Sequence, residues 1–155
     1  MVGTSAFPFK GKDQNNEDIA LADFKGQKVV LYFYPKDDTP GCTREAIAFT
    51  ALKAEFESEN TVVIGVSKDS VASHEKFCNK HDLDLRLISD ESGEIVEGYG
   101  VWQEKKNYGK TYMGIVRSTF IIDEAGQIQK HWKSVKVDGH AEKVLDAVKK
   151  LAVSA

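Results

Sequence analysis

The seven residues from Lys28 to Tyr34, KVVLYFY, run straight into Pro35. A near-continuous stretch of β-branched and aromatic residues suits a strand covered on both faces. Proline cannot donate to a β-ladder, so it marks the end of that strand. A second such run, TVVIGV, spans Thr61 to Val66. Between the two, Ile47, Ala48, Ala51, Leu52 and Phe56 recur at helical spacing. Thr39-Pro40 predicts the helix start, a capping hydroxyl followed by proline at the first helical position, and the helix is expected to reach about Ser58. Strand, helix and strand in this order make a right-handed parallel βαβ unit.

The flanking patterns build on that unit. Met1 to Phe9 reads as an irregular lead-in, and Lys10 to Leu21 as a small hairpin or turn. Ser70 is placed to cap a helix over Val71 to His81, Leu85 to Ile88 reads as a short strand, and Glu94 to Tyr99 as a short helix. Val101 to Met113, with Gly109 and three aromatics, reads as a long loop. Ser118 to Ile122 and Gln127 to Trp132 form a hairpin around Asp123-Glu124-Ala125-Gly126, and Asp138 caps a last helix from about Gly139 to Leu151. A parallel βαβ unit, an antiparallel hairpin and a closing helix predict the α/β class and a thioredoxin-like fold. The expected form is a central mixed β-sheet flanked by helices, with an N-terminal hairpin extension, as one domain over residues 1–155.

Bulk properties narrow the function. A chain of 155 residues can bury about 68–70% of its unfolded surface and needs no disulfide or metal for that. The net charge of −3, with Lys and Arg spread along the chain, gives no footprint for nucleic acid or an anionic membrane. No apolar run approaches the ~18 residues of a membrane span, and the N-terminus lacks the pattern of a signal peptide. The expected location is the cytoplasm. There, two cysteines, Cys42 and Cys78, point to redox or catalytic chemistry as readily as to two inert buried thiols.

Cys42 falls in the first turn of the predicted helix, where free backbone N–H groups and the helix dipole favour the ionised, nucleophilic form of a thiol. Position 45, where a Cys-x-x-Cys oxidoreductase has its second cysteine, is Glu45. No proline precedes the strand at Ser118, where thioredoxins have one. None of the four histidines is close to Cys42 in sequence, and none forms a metal-ligand pair at suitable spacing, so they read as solvated. Asp37 and Asp38 read as a turn, and Lys105, Lys106 and Lys110 as part of a solvated loop.

The stretch Pro35-Lys36-Asp37-Asp38-Thr39-Pro40-Gly41-Cys42-Thr43 resembles the peroxiredoxin motif, and Gly114 to Asp123, GIVRSTFIID, resembles that family's second block. The form YPKDDTPGCT, with Val101-Trp102 and Tyr108-Gly109-Lys110, is similar to the bacterioferritin-comigratory, or Q-type, peroxiredoxins. The resemblance implies a peroxidase that reduces hydrogen peroxide and alkyl hydroperoxides, has no cofactor or metal of its own, and is recycled by thioredoxin or another thiol. It assigns Cys42 as the nucleophile that becomes a sulfenic acid, and Arg117 as its electrostatic partner. The Thr39 hydroxyl and the backbone N–H groups near Gly41 and Cys42 would align the peroxide, Pro35 would shield the sulfur, and Glu45 would orient an arginine. Each has a plainer alternative: Thr39 as a cap only, Pro35 as a strand terminator, Arg117 as a surface ion-pair partner. Trp102, Tyr108 and Met113 either wall the peroxide's path or pin the loop.

Many Q-type proteins have a second cysteine five residues after the first, where this chain has Ile47. Cys78, 36 residues on (78 − 42), matches a variant with its resolving cysteine in the later helix. The resemblance then implies an intramolecular Cys42–Cys78 disulfide, local unwinding to form it, and a monomer. The alternatives are a one-cysteine peroxidase with a structural Cys78, and a redox-sensing or chaperone-like binding protein.

Overall fold

The computed structural model describes residues 2–154. A seven-stranded mixed sheet is ordered β2-β1-β5-β4-β3-β8-β9, with strands β1 (Lys10–Lys12), β2 (Asp18–Ala20), β3 (Lys28–Phe33), β4 (Thr61–Ser67), β5 (Arg86–Ser89), β8 (Ser118–Ile122) and β9 (Ile128–Trp132). A separate two-stranded sheet holds β6 (Trp102–Asn107) and β7 (Lys110–Ile115). The helices are α1 (Pro40–Ala51), α2 (Lys53–Ser58), α3 (Val71–His81), α4 (Glu94–Gly98) and α5 (His140–Ser154), with a short 3-10 turn at Leu21–Phe24.

Strand β3 lies at the centre, parallel to β4 and antiparallel to β8. All six of its residues are buried, and their alternation supplies both layers of the core. Val29, Leu31 and Phe33 join Phe9, Val96, Tyr99 and Phe120 on one face. Val30, Tyr32 and Tyr34 join Phe49, Phe56, Phe77 and Val144, from α1, α2, α3 and α5, on the other. Each large side chain buried in this way stabilises the fold by about 1.5–3 kcal/mol. Both cysteines belong to the second layer.

The mixed sheet, the hairpin extension of β1 and β2, and the βαβ unit agree with the sequence. Two elements differ. The helix expected to reach Ser58 is two helices, broken at Leu52 (φ −99°, ψ 5°). The segment read as a loop is the β6–β7 hairpin, paired from Trp102↔Ile115 to Asn107↔Lys110. Tyr108 (φ 52°) and Gly109 (φ 76°) both take the left-handed conformation that a tight two-residue turn demands.

Candidate active site

The site is assembled where β3 hands the chain to α1 and where β8 begins. Pro35 lies in the bend just after β3 and is exposed. The chain turns at Asp37 and Asp38, and Thr39 is extended (φ −93°, ψ 154°) as an N-cap residue before Pro40 at the first helical position. The Thr39 hydroxyl does not cap the helix, contrary to the sequence reading: Oγ1 donates to the Lys36 carbonyl at 2.8 Å. The first ladder bond of α1 runs from Thr43 N–H to the Thr39 carbonyl at 2.8 Å. Helix geometry therefore leaves the Gly41 and Cys42 N–H groups without an intrahelical acceptor, aimed out of the N-terminus.

Cys42 is a buried free thiol. Arg117, immediately before β8, reaches it across the end of the sheet: Nη2 donates to Cys42 Sγ at 3.3 Å, while Nη1 donates to Glu45 Oε1 at 2.7 Å. One planar guanidinium thus spans a sulfur and a carboxylate, a geometry that the single-point charge of lysine cannot copy. A methyl group at Gly41 would stand 3.2 Å from Arg117 Nη2, so the missing side chain makes room for the arginine. Burial works against the Arg117 charge, yet Glu45 and Cys42 outweigh it, and the guanidinium is held more firmly protonated than usual. Burial pushes the Glu45 carboxyl up to about 7 although Arg117 opposes the shift. Among the described residues, two buried side-chain polar atoms find no hydrogen-bond partner, Glu45 Oε2 and Tyr32 OH. Tyr32 packs in the same layer as Cys42, stacked between Tyr34 and Phe49.

Residues 2–131 match the AhpC/TSA family. Peroxiredoxin Bcp of Bacillus subtilis is 44% identical over 151 residues, covering 97% of this chain and 96% of its own. Among solved structures, a cysteine-to-serine variant of Xylella fastidiosa PrxQ superposes with a TM-score of 0.94 at 38% identity, over 98% of this chain and 97% of its own. A Xanthomonas campestris bacterioferritin comigratory protein, studied for alkyl peroxide reduction, superposes at 0.89 with 40% identity, over 93% of this chain and 92% of its own. The chain belongs to the AhpC/TSA family as a peroxiredoxin of the Bcp, or Q, type. In Xanthomonas campestris peroxiredoxin Q, two single cysteine-to-serine variants alter positions 36 residues apart, the separation of Cys42 and Cys78 (78 − 42).

In this peroxiredoxin, Arg117, Glu45, Gly41 and Cys42 come together, and Cys78 stands on α3 in the same core layer as Cys42. Cys78 is a buried free thiol that burial, then the Asp37 and Asp13 carboxylates, push up to about 11. Ile47, at the position of the commoner second cysteine, is half exposed. The β6–β7 hairpin brings Lys105 near the Arg117 and Cys42 charges. Its place in a run read as a solvated loop concealed that. Trp102 packs on the core with Lys68 Nζ 4.1 Å above its ring, Tyr108 is 97% exposed at the hairpin tip, and Met113 is half exposed.

The reading of the histidines as solvated is overturned for two of them. His74 is fully buried between the Asp37 carboxylate and the Ile88 carbonyl. His140 is buried against Phe49 and Trp132, 2.8 Å from Thr119 Oγ1, and burial with nearby cations lowers its pKa to about 4. Asp37 does form the expected turn, but its side chain points inward. The ligand atoms of Asp37, Asp69 and His74 lie within 4.8 Å of one another. They are already engaged in hydrogen bonds to protein groups. No helix among the described residues is long and apolar enough to cross a membrane.

Proposed function

We propose that Cys42 is the peroxidatic nucleophile of a thioredoxin-linked cycle that reduces hydrogen peroxide and alkyl hydroperoxides. The Arg117 guanidinium shared between Cys42 Sγ and Glu45 carries this reading. It donates to the sulfur and faces the place where negative charge grows as the O–O bond breaks. The thiolate attacks one peroxide oxygen, the other leaves with the peroxide's proton as water or alcohol, and the oxygen kept on sulfur takes a proton from solvent to give the sulfenic acid. Arg117 and the N–H groups of Gly41 and Cys42 donate to the two oxygens, with the Thr39 hydroxyl beside them. Glu45 fixes the plane of the guanidinium, and Pro35 ends β3 so that the cysteine loop starts at the end of the central strand.

Cys78 then attacks the sulfenic sulfur, giving a Cys42–Cys78 disulfide and water. The cysteine spacing shared with the Xanthomonas campestris variants supports this. A thiol raised to about 11 in a folded helix is a poor nucleophile, so α3 opens locally before Cys78 reacts. Thioredoxin reduces the disulfide. The intramolecular bond lets one chain, a monomer in the cytoplasm, complete the cycle.

The test follows NADPH loss with peroxide, thioredoxin and thioredoxin reductase, and maps disulfides by non-reducing mass spectrometry. Turnover with a Cys42–Cys78 bond is expected. Cys78→Ser is expected to consume about one equivalent of peroxide and then stop with thioredoxin as the only donor. Full turnover by that variant would make Cys78 structural, and no turnover by the native protein with any thiol would overturn the peroxidase cycle.

A further inference from the structure

The loop that delivers Cys42 is tied to the helix that carries Cys78 at two points, and the ties differ in kind. The first is buried. Asp37 Oδ1 accepts from Tyr34 OH at 2.6 Å, and Oδ2 accepts from Ser73 Oγ at 2.8 Å and lies 2.7 Å from His74 Nδ1. The other ring nitrogen, Nε2, lies 2.9 Å from the Ile88 carbonyl of β5. A carbonyl only accepts, so Nε2 carries a proton and donates to Ile88, while Nδ1 and Asp37 Oδ2 share one short hydrogen bond. The Asp37 N–H donates to Asp69 Oδ2 at 2.9 Å, and Ser67 Oγ donates to the same oxygen at 2.6 Å. This tie therefore holds the loop, the first turn of α3, and strands β4 and β5 together, and separating it would leave several buried polar groups without partners.

The second tie is at the surface. Asp38, with a positive φ of 58°, takes Lys80 Nζ at 2.7 Å and His81 Nε2 at 2.8 Å, from the last turn of α3. Its side chain is 41% exposed and that of Lys80 is 62% exposed. Water can replace such partners readily. Cys78 sits between the ties, four residues after His74 and three before His81, and its carbonyl accepts the closing bond of the helix from Leu83 N–H at 2.9 Å.

We propose that Asp37 and His74 are a fixed pivot and that Asp38, with Lys80 and His81, is a releasable latch, so that α3 unwinds from its C-terminal end back to His74 when Cys78 reaches Cys42. This rests on Cys78 acting as the resolving cysteine. Asp37, Asp38 and His74 are then positioning residues for the step in which the Cys78 sulfur bonds to Cys42 Sγ and the sulfenic oxygen leaves as water. The latch sets how long the sulfenic acid persists, and hence how exposed it is to a second peroxide.

Asp38→Asn tests the latch, since asparagine tolerates the same positive φ. Stopped-flow oxidation separates sulfenic acid formation from disulfide formation. The first rate is expected to stay within about twofold, and the second to rise by about two- to fivefold, the range that losing exposed ion pairs allows. His81→Gln should move the second rate in the same direction. Hydrogen exchange of the oxidised native protein tests the pivot. Amides from Ser73 to Glu75 are expected to keep their protection while those from Cys78 to Leu83 lose it. A disulfide rate unchanged in both variants, or equal loss of protection along α3, overturns the proposal and leaves the resolving role intact. Absence of any Cys42–Cys78 disulfide in the native protein removes both.

Discussion

Cys42 and Cys78 are the same side chain, both buried and both in one apolar layer, yet charges of opposite sign face them. Arg117 donates to the Cys42 sulfur. Two carboxylates, Asp37 and Asp13, add to burial around Cys78 and push its thiol up to about 11. Burial alone therefore does not mark a cysteine as inert or reactive. The sign of the nearest charge is what separates the two sites, and at Cys42 that charge is held by a second buried residue, Glu45, through a 2.7 Å ion pair.

The strongest way to erase the contrast is Arg117→Lys. One ammonium cannot hold both Glu45 and the sulfur, and the peroxide kcat/KM is expected to fall about 10³-fold with the fold intact. A fall below tenfold would mean that the guanidinium is not what distinguishes the two cysteines. Next in size is the reactivity of Cys78 itself. In a Cys42→Ser background, iodoacetamide at pH 8 should label Cys78 about 10²-fold more slowly than free cysteine, with the rate climbing toward pH 11. Labelling at the free-cysteine rate would show that α3 opens without any oxidation.

The smallest effect is on stability. Glu45 binds its proton more tightly in the folded than in the unfolded chain, so its contribution is fully present below about pH 4.5 and is lost as the pH rises through about 7. The expected loss is about 3 kcal/mol over that window. Urea midpoints measured across it should fall for the native protein and stay flatter for Glu45→Gln. Equal slopes would mean that the unpartnered Glu45 Oε2 carries no penalty.

Much of the frame was legible because it rests on local pattern. β3, β8 and α3 announce themselves by composition, by Pro35 and by Ser70, whose hydroxyl does accept from Ser73 N–H at 3.1 Å. The β6–β7 hairpin was not legible. Its turn has Tyr108 where asparagine or aspartate would have advertised the left-handed conformation, and its strands carry charged residues with no sheet to bury against. The two motif blocks that carry Cys42 and Arg117 were readable in the sequence, and the structure brings the two residues together, but the surroundings of His74 were not readable. Its partner Asp37 is 37 residues earlier, and no local periodicity encodes a contact made by packing a helix onto a sheet end. The Thr39 hydroxyl was misjudged for the opposite reason. The cap position is right, but Lys36 offers a nearer acceptor.

The pairing of β3 with β8 runs from Val29↔Ile122 to Phe33↔Ser118, and Arg117 is the next residue out. A ladder of this kind admits only whole-residue changes. A slip of one would turn Arg117 to the opposite face, and a slip of two would carry it about 7 Å along the strand. The spacing between guanidinium and sulfur is therefore coarse-grained by the sheet. Gradual adjustment around the sulfur has to come from side chains near the pair, such as Glu45 and Lys105, while the strands that set the pair in place either keep it whole or lose it at once.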